Sequence, residues 1–512
     1  MGLHRLTHAL GLGCALGLFA CVDETVVSDP VGRVRAEIRP APGATADAPR
    51  FESNDKVETL DSEGGFFRVH YTRAGTNAVP RTDRNGDGVP DYVASVAQNF
   101  DAVLAFYRER GFREPVRDGE LAGNHGGNDR FDVYLLDFPT SADGAYRQDE
   151  ECLAASSCSG YMLLDNDFDA RGYPSLEHAV RLVASHELFH AVQRAYLVEN
   201  SGILNEGTAV WASEAFDAKT GDLEFQAAAY LKQPERSLAQ ETQGTFDAFT
   251  YGGSLFFQFL DQREGPEVVR ELWEALAADS SKSWPVALEH VLQTHDSSLA
   301  EAFTDFVTFN LYTGRRADAE HGYVQGAELP LITERKVESD LDEEMVRVFP
   351  MAARYYTVTA SSAQQLSAAA VLEEAEGLGL LVAREHDGKI DLVQRAERSG
   401  KALSASVLLG AGDVFHAVVY NTRSEGNSLR PDVCVGTAAA VATCRSAHGD
   451  SAAMSGGQSP EADGGGCSVA QTRAGPANLA PLALLLLARR RTRVTAGRSR
   501  WQTPTRRLRS HP

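Results

Sequence analysis

Basic residues are scarce in this chain relative to acidic ones. It has 49 lysines and arginines against 71 aspartates and glutamates, which gives a formal charge of −22 over 512 residues. Nine of the arginines lie in the last 24 residues, where no acidic residue occurs, so the rest of the chain is more acidic still. An acidic body repels polyanions, which argues against nucleic acid as a partner.

A long hydrophobic run is also missing. The apolar stretches near the two termini, Ala9–Ala20 and Ala477–Ala488, are shorter than the ~20 residues that a membrane-spanning helix needs. The first follows a weakly basic start, so residues 1–21 are predicted to be a signal peptide. No internal repeat is visible, and a composition of 43% hydrophobic residues favours a globular chain of two or three domains.

Cysteine is rare, at seven residues, and its placement is informative. Two cysteines lie in the signal-peptide region and one lies near the C terminus. The other four form two close pairs, Cys152 with Cys158 and Cys434 with Cys444. Such spacing is typical of local disulfides in an oxidising compartment and predicts export. Free thiols or a metal site are the alternative, but no histidine or cysteine at finger-like spacing accompanies either pair.

Both ends of the chain resemble known processing motifs. The tetrapeptide LFAC resembles a lipobox with Cys21 as the lipidated residue, and ordinary cleavage is the alternative. Residues 467–493 hold Cys467, a short apolar stretch and an arginine cluster, a layout that resembles the myxobacterial MYXO-CTERM sorting signal. This resemblance implies display at the cell surface or outer membrane of a Gram-negative cell, with membrane association through the terminal anchors. Residues 494–512 form a basic tail beyond the motif.

The chain between these ends has the pattern of an α+β protein. Residues 22–62 are polar and rich in Pro, Ala and Asp, and are predicted to form a loose N-terminal segment. Residues 63–330 combine strand-like alternation, as in FFRVHYT and FDVYLLDF, with several helical segments. Residues 331–447 are short alternating segments separated by turns, which predicts a β-sandwich-like domain. Residues 448–466 form a low-complexity linker.

The segment VASHELFHAVQRAYLVENSGILNEGTAVWASE carries the strongest functional pattern. A helix is predicted from Ser175, as the N-cap, to about Leu197. His186 and His190 are four residues apart on this helix, so both imidazoles face one side and can bind one ion. HExxH is the zincin signature, in which the intervening glutamate, here Glu187, acts as general base. A helix with two buried histidines and no metal is the alternative.

A catalytic zinc ion takes a third protein ligand and keeps a fourth position for water. A metzincin would have a histidine where this chain has Tyr196, so that class is excluded. Glu206, in LNEGTAVW, follows His190 after fifteen intervening residues. Glu214 lies two helical turns further on, about 12 Å along the axis, so both glutamates cannot bind one ion. Glu206 is preferred, because Glu214 has an ordinary explanation as a solvated or supporting carboxylate.

HELFH followed by LNEGTA resembles the gluzincin aminopeptidases, whose pattern is HExxH followed by NEG-x-A. The resemblance implies a zincin fold with a helical lobe, zinc bound by His186, His190 and Glu206, and Glu187 as the base. The gap between the two motifs is shorter than in that family. The surrounding sequence, including GVPDYV, resembles a group of predicted surface metallopeptidases of myxobacteria.

Two further segments extend this comparison. FTYGGSLFFQFL resembles the family's Tyr-Glu-x-Gly helix, which implies that Tyr251 donates a hydrogen bond to the oxyanion. A tyrosine that only packs at a helix start is the alternative. GYMLL resembles the family's Gly-x-Met-Glu-Asn strand, but Leu163 stands where a glutamate holds the free amine of the substrate. The missing carboxylate favours an endopeptidase over an aminopeptidase.

A separate motif, DRNGDGVPD, resembles the start of an EF-hand loop. Asp83, Asn85, Asp87 and Asp91 alternate as oxygen ligands that could bind calcium, but Ala94 replaces the bidentate glutamate at the twelfth position. The alternative is an Asx-rich turn that precedes a helix. The sequence leaves both open.

The sequence therefore predicts an exported, monomeric zinc endopeptidase with an α+β zincin domain and a C-terminal β-sandwich-like domain. Zinc would lower the pKa of its bound water. Glu187 would take a proton as this water attacks a peptide carbonyl, and would deliver it to the leaving nitrogen of a peptide or protein substrate. Tyr251 and zinc would hold the oxyanion. The alternative is a surface adhesion or binding protein that has kept the zincin scaffold without turnover, against which the presence of Glu187 argues.

Overall fold

A computed structural model of the chain describes residues 39–40 and 49–450, with gaps at 120–125, 139–141, 155–156, 170, 198–200, 241–246 and 375. The predicted signal peptide with Cys21 and the predicted sorting signal with Cys467 lie outside the described residues. All described residues belong to one compact unit. Within this part of the chain, no helix combines the length and the apolar character needed to cross a membrane.

The described residues contain fifteen strands and ten α-helices, which confirms the α+β class. The strands are β1 Val57–Asp61, β2 Phe67–Thr72, β3 Phe131–Leu136, β4 Gly144–Ala154, β5 Ser157–Asp165, β6 Arg335–Lys336, β7 Leu341–Glu343, β8 Ala352–Thr359, β9 Gln364–Val371, β10 Leu378–His386, β11 Lys389–Arg395, β12 Glu397–Ser399, β13 Ala402–Leu409, β14 Val414–Asn421 and β15 Asp432–Thr437. The helices are α1 Asp91–Glu109, α2 Leu176–Arg194, α3 Gly202–Phe216, α4 Asp222–Lys232, α5 Ala248–Gly252, α6 Ser254–Arg263, α7 Val268–Ala278, α8 Trp284–Thr294, α9 Leu299–Phe309 and α10 Ala438–Ala447.

The first five strands form one sheet in the order β1-β2-β3-β5-β4. β2, β3 and β5 run parallel, whereas the edge strands β1 and β4 run antiparallel to their neighbours. Because side chains alternate along a strand, Val133 and Leu135 of β3 join the core with α1 and α2, while Tyr134 and Leu136 join a second core on the opposite face. Both faces of this sheet are therefore covered.

The N-terminal segment differs from the sequence expectation of a loose stretch over 22–62. Residues 57–61 form β1, which pairs with β2 along its whole length. Phe51 is buried in the core on the outer face of the sheet, and Arg39 is buried as well. Local composition predicts an irregular segment here, but antiparallel pairing with the next strand along the chain orders residues 57–61, and composition alone does not show that pairing.

Helix α2 is the central helix of the first part of the chain. It begins where predicted, since the Ser175 side chain accepts a hydrogen bond from the backbone N–H of His178 at 3.1 Å. Its second half is buried on nearly every side, and α1, α3, β4 and β5 pack around it. A helix enclosed in this way holds its side chains in fixed positions, which a precise site requires.

The C-terminal strands form two five-stranded sheets, ordered β11-β10-β14-β8-β6 and β12-β13-β9-β15-β7. Leu380 and Val382 of the first sheet share one hydrophobic core with Leu366 and Ala368 of the second, as in a sandwich. The other face of the sheet β11-β10-β14-β8-β6 joins the main core of the helical part through residues such as Leu381. The predicted boundary near residue 330 therefore does not separate two independent cores.

Both predicted disulfides are present. Cys152–Cys158 links β4 to β5, and Cys434–Cys444 links β15 to α10. The sequence predicts that the β-domain continues to residue 447, but the structure has a helix, α10, over the last ten of these residues. Its apolar side packs on β9 and β15 rather than adding a strand.

The loop DRNGDGVPD matches the Asx-turn alternative. The two carboxylate oxygens of Asp83 accept hydrogen bonds from the backbone N–H groups of Gly86 and Gly88, and Asp87 accepts one from Val89. Asp91 is the first residue of α1 and accepts from the backbone of Arg84. Among the described residues, the carboxylates of this loop do not converge as a metal-ligand group, and the calcium prediction stays a prediction.

Candidate metal centre

The two histidines of HELFH face one side of α2, as their spacing predicts. The ring centroids of His186 and His190 are 5.0 Å apart, and both side chains are buried. α3 packs against α2 and brings Glu206 close to both histidines. Oε2 of Glu206 lies 3.3 Å from Nε2 of His186 and 3.7 Å from Nε2 of His190.

These separations fit a bound metal ion. Zinc–ligand bonds of about 2.0–2.1 Å in tetrahedral geometry place ligand atoms roughly 3.4 Å apart. The three ligand atoms of His186, His190 and Glu206 all lie within 4.8 Å of one another. Three protein donors leave one tetrahedral position open, which is the arrangement of catalytic rather than structural zinc sites.

Hydrogen bonding supports the same conclusion. Nε2 of His190 and Oε2 of Glu206 are buried, and neither makes a well-aligned hydrogen bond to another described residue. Buried polar atoms rarely lack a hydrogen-bond partner, because desolvation without a partner costs about 1–3 kcal/mol. A cation between them would satisfy these atoms, so the residues present fit a metal ion.

The charge state of Glu206 also suits a ligand. Burial opposes ionisation of this carboxyl, but the neighbouring imidazoles of His190 and His186 and the hydroxyl of Tyr251 outweigh burial. Together they hold the pKa of Glu206 below its ordinary value. The carboxylate form is the one that binds a metal.

Glu187 lies beside these ligands with one oxygen engaged and one available. The backbone N–H of Tyr146, on the edge strand β4, donates to Oε2 of Glu187 at 2.9 Å. Oε1 is buried without a hydrogen-bond partner among the described residues. Gly144 permits this approach, because a Cβ there would lie 2.5 Å from Val183 and 3.2 Å from Cγ of Glu187.

Tyr251 is brought into the same site by α5. Its ring lies roughly parallel to that of His186, with centroids 6.2 Å apart, and its hydroxyl hydrogen-bonds to Glu206. The ring also packs against Val210 and Leu223. The tyrosine therefore has both a packing contact and a polar group directed at the candidate metal ligands.

Glu214 does not belong to the ligand group, and of the two explanations that the sequence offers for it, a solvated or a supporting carboxylate, burial excludes the first. It is buried near Glu224, Asp222 and Asp217. Burial, together with these like charges, raises the pKa of Glu214 to about 8. A carboxyl that holds its proton at neutral pH is a poor metal ligand.

Two residues that support the histidines were missed from the sequence. Gln193 contacts Nδ1 of His190 through its side-chain oxygen at 2.9 Å, and Oδ2 of Asp222 lies 3.9 Å from Nδ1 of His186. Gln193 follows His190 by three residues on α2, a helical spacing that could have identified it. Asp222 lies on α4, and no local pattern connects it with α2.

The strand beside the site is β4, whereas the sequence comparison places the family's substrate-binding strand at GYMLL in β5. Leu163 of β5 is buried in the core on the far face of the sheet, away from α2. The segment that contacts Glu187 is Gly144–Tyr146. β4 and β5 form a hairpin, and a strand pattern alone does not tell which arm lies at the sheet edge.

A second group of potential ligands consists of Asp342, Cys444 and His448. Cys444 is in a disulfide and has no thiolate to offer. His448 contacts Asp342 at 2.7 Å and Asp432 at 3.3 Å through its two ring nitrogens. These contacts describe a charged histidine that fastens the end of α10, not a metal site.

Comparison with known proteins finds only partial structural likeness. No protein-family model matches the sequence, and no curated protein matches it. The pre-peptidase C-terminal domain of a collagenase from Bacillus anthracis is similar at 12% identity and a TM-score of 0.16, over 20% of this chain and 93% of that chain. CorA, a surface-associated copper-binding protein important for copper acquisition in Methylomicrobium album BG8, is similar at 6% identity and a TM-score of 0.14, over 20% of this chain and 96% of that chain. Neither likeness carries an argument about function.

Proposed function

We propose that this protein is a zinc-dependent peptidase of the gluzincin type. The observation that carries the proposal is the convergence of His186, His190 and Glu206 beside Glu187, whose Oε1 is buried and available. Two imidazoles and a carboxylate with an open fourth position are typical of zinc hydrolases. Two observations support the proposal: the HExxH and NEG motifs in the sequence, and the distances between the side chains of these motifs.

A zinc ion bound there would supply Lewis acidity and make a water molecule more acidic. Glu187 would accept a proton from the attacking water as the new carbon–oxygen bond forms at the peptide carbonyl. It would then give that proton to the leaving nitrogen as the carbon–nitrogen bond breaks. The hydroxyl of Tyr251 would donate a hydrogen bond to the developing oxyanion.

An extended peptide is the substrate class that suits this site. β4 is the edge strand nearest to Glu187, and no strand pairs with its outer edge among the described residues. A strand edge that has no paired neighbour can bind an extended chain through backbone hydrogen bonds. We also propose that the protein is an endopeptidase that acts within peptides or proteins; this rests on the sequence alone, in which Leu163 stands where the resembled motif has its amine-binding glutamate.

We further propose that the protein is exported and acts as a monomer at the cell surface. The two disulfides in the structure support an oxidising compartment. The terminal motifs with Cys21 and Cys467 supply the sequence argument for anchoring.

The deciding experiment compares the parent with Glu187→Gln in zinc content and in hydrolysis of a casein substrate. We expect the variant to bind zinc and to melt at the parent's temperature, with turnover lowered by at least about 10²-fold. The matched control is Glu177→Gln, the same substitution at an exposed position in the first turn of α2, which should retain activity. A variant as active as the parent contradicts the assignment. A parent that binds zinc and hydrolyses nothing favours the surface-binding alternative.

A further inference from the structure

The side chain of Gln193 is enclosed between the two helices that carry the candidate ligands. It is 1% exposed and makes three hydrogen-bond contacts. Its oxygen lies 2.9 Å from Nδ1 of His190, and its nitrogen donates to the backbone oxygen of Asn205 at 2.8 Å and to the hydroxyl of Thr208 at 3.0 Å. His190 is on α2, whereas Asn205 and Thr208 flank Glu206 on α3.

The orientation of this amide follows from its neighbours on α3. A backbone carbonyl can only accept hydrogen bonds. The hydroxyl of Thr208 donates its single hydrogen to the backbone oxygen of Leu204 at 2.7 Å, so it too is an acceptor toward Gln193. Both partners on α3 therefore require the NH₂ group of Gln193, and the oxygen must face His190.

That orientation determines the tautomer of His190. The oxygen of Gln193 has no hydrogen, so Nδ1 of His190 must donate. In the neutral imidazole, the form that binds a metal, Nε2 then carries the lone pair, and it is the atom that lies 3.7 Å from Oε2 of Glu206. The opposite tautomer would place two acceptors 2.9 Å apart and would direct an N–H at the candidate metal position.

We propose that Gln193 is a positioning residue that holds His190 in its metal-binding tautomer and ties it to the segment of α3 that carries Glu206. This inference rests on the proposed metal site and adds to it the device that aligns ligands from two helices. Partners of a histidine ligand's second nitrogen contribute about 10–100-fold to metal affinity.

The test measures zinc affinity by competition with a chromophoric chelator, in the full chain. We expect Gln193→Met, which keeps the length of the side chain but no hydrogen bond, to bind zinc about 10–100-fold more weakly than the parent. Gln193→Glu keeps an acceptor facing His190 but loses the NH₂ group that serves α3. It should recover most of the zinc affinity while the metal-free protein melts at a lower temperature than the parent.

Gln258→Met on α6 is the matched control, since Gln258 is also buried. Its zinc affinity should equal that of the parent. A purely structural role for Gln193 predicts a lower melting temperature in both variants with unchanged zinc affinity, and that result overturns the inference. If the parent takes up no zinc, the metal site itself is wrong and the inference fails with it. Failure of the proposed metal site is thereby distinguished from failure of the role of Gln193 alone.

Discussion

Glu206 and Glu214, on the same helix, show how position decides what a carboxylate does. Both side chains are buried. Imidazoles and a tyrosine hydroxyl face Glu206 and lower its pKa despite burial, whereas burial among acidic neighbours raises the pKa of Glu214 to about 8. Eight residues along α3 separate an ionised candidate ligand from a carboxyl that keeps its proton at neutral pH.

The first prediction follows from this contrast. Glu206→Ala removes one of three donors and should abolish stoichiometric zinc binding at micromolar metal. Glu214→Ala should retain zinc, because its carboxyl is outside the ligand group. Elemental analysis of both purified variants checks the result. Zinc lost from Glu214→Ala but kept by Glu206→Ala would move the third ligand to Glu214.

The second prediction concerns the hydroxyl of Tyr251. If it stabilises the oxyanion, Tyr251→Phe should lower kcat by roughly 10²–10³ with little change in KM. Because the hydroxyl also hydrogen-bonds to Glu206, Tyr251→Phe should lower the zinc affinity as well, by no more than the 10–100-fold that is typical of supporting contacts. Kinetics at saturating zinc separate the two effects.

Near-parental turnover in Tyr251→Phe would leave the ring with only its packing role. Tyr251→Ala is the comparison for that role. It creates a cavity beside Val210 and Leu223, and it should lower the melting temperature whatever the chemistry of the hydroxyl.

At the scale of elements, one buried arginine links the N-terminal segment to the outer face of the sheet β1-β2-β3-β5-β4. Arg39 forms ion pairs with Asp118 at 2.7 Å, with Asp149 at 2.6 Å and with Asp132, and its guanidinium lies 5.2 Å from the ring centre of Tyr161. All four charged side chains are buried. Arg39 thus ties the N-terminal segment to β3, β4 and the loop after α1, in addition to the pairing of β1 with β2 and the burial of Phe51.

The third prediction is that Arg39→Met lowers the free energy of unfolding by about 3–5 kcal/mol, because it removes the positive charge that pairs with three buried carboxylates. Arg68→Met is the control on the same sheet. Arg68 pairs with Asp61 at 2.6 Å near solvent, and its loss should cost no more than about 1 kcal/mol. Urea denaturation of both variants measures the difference, and equal effects would contradict a special role for Arg39.

At the scale of the whole molecule, a buried charged cluster joins the helical part to the first C-terminal sheet. His416 of β14 contacts Glu334 at 2.6 Å and Glu385 of β10 at 3.3 Å. Arg316 contacts Glu334 at 2.9 Å, and Arg315 pairs with Glu385. The cluster connects residues that follow α9 to two neighbouring strands.

The pKa values of this cluster define a pH window. Burial opposes the positive charge on His416, but hydrogen bonds to Glu334 and Glu385 outweigh burial and raise the pKa of His416 above 6.5. For Glu385 the hydrogen bond from His416 outweighs burial and lowers the pKa of the carboxyl to about 2. The contribution of His416 to stability is therefore complete below pH 6.5 and fades as the pH rises through its raised pKa. The contribution of Glu385 is complete above pH 4.5 and is lost as the pH falls toward 2.

The fourth prediction is that His416→Gln destabilises the protein most between about pH 5 and 6, where the parent's histidine is charged. The stability curves of parent and variant should approach each other as the pH rises through the raised pKa of His416. Denaturant unfolding from pH 5 to 9 provides both curves. Parallel curves across that range would show that His416 does not titrate with the fold.

The sequence by itself determined the features that depend on neighbouring residues. The HExxH spacing places two imidazoles on one side of α2, Ser175 caps that helix, and alternation predicts β2, β3 and the strand-rich character of residues 331–447. The spacing of four cysteines predicted both disulfides. Each of these follows from a period or a spacing within one element or one turn.

Only the tertiary structure decided how distant elements meet. It buried Glu214 among acidic neighbours, made β4 rather than β5 the strand beside Glu187, and buried Arg39 among three aspartates. It also placed Gln193 between α2 and α3. Helical and strand periods indicate which face of an element is buried, but not which neighbour covers it. That choice is made by the packing of the complete core, to which residues far apart in the chain contribute together.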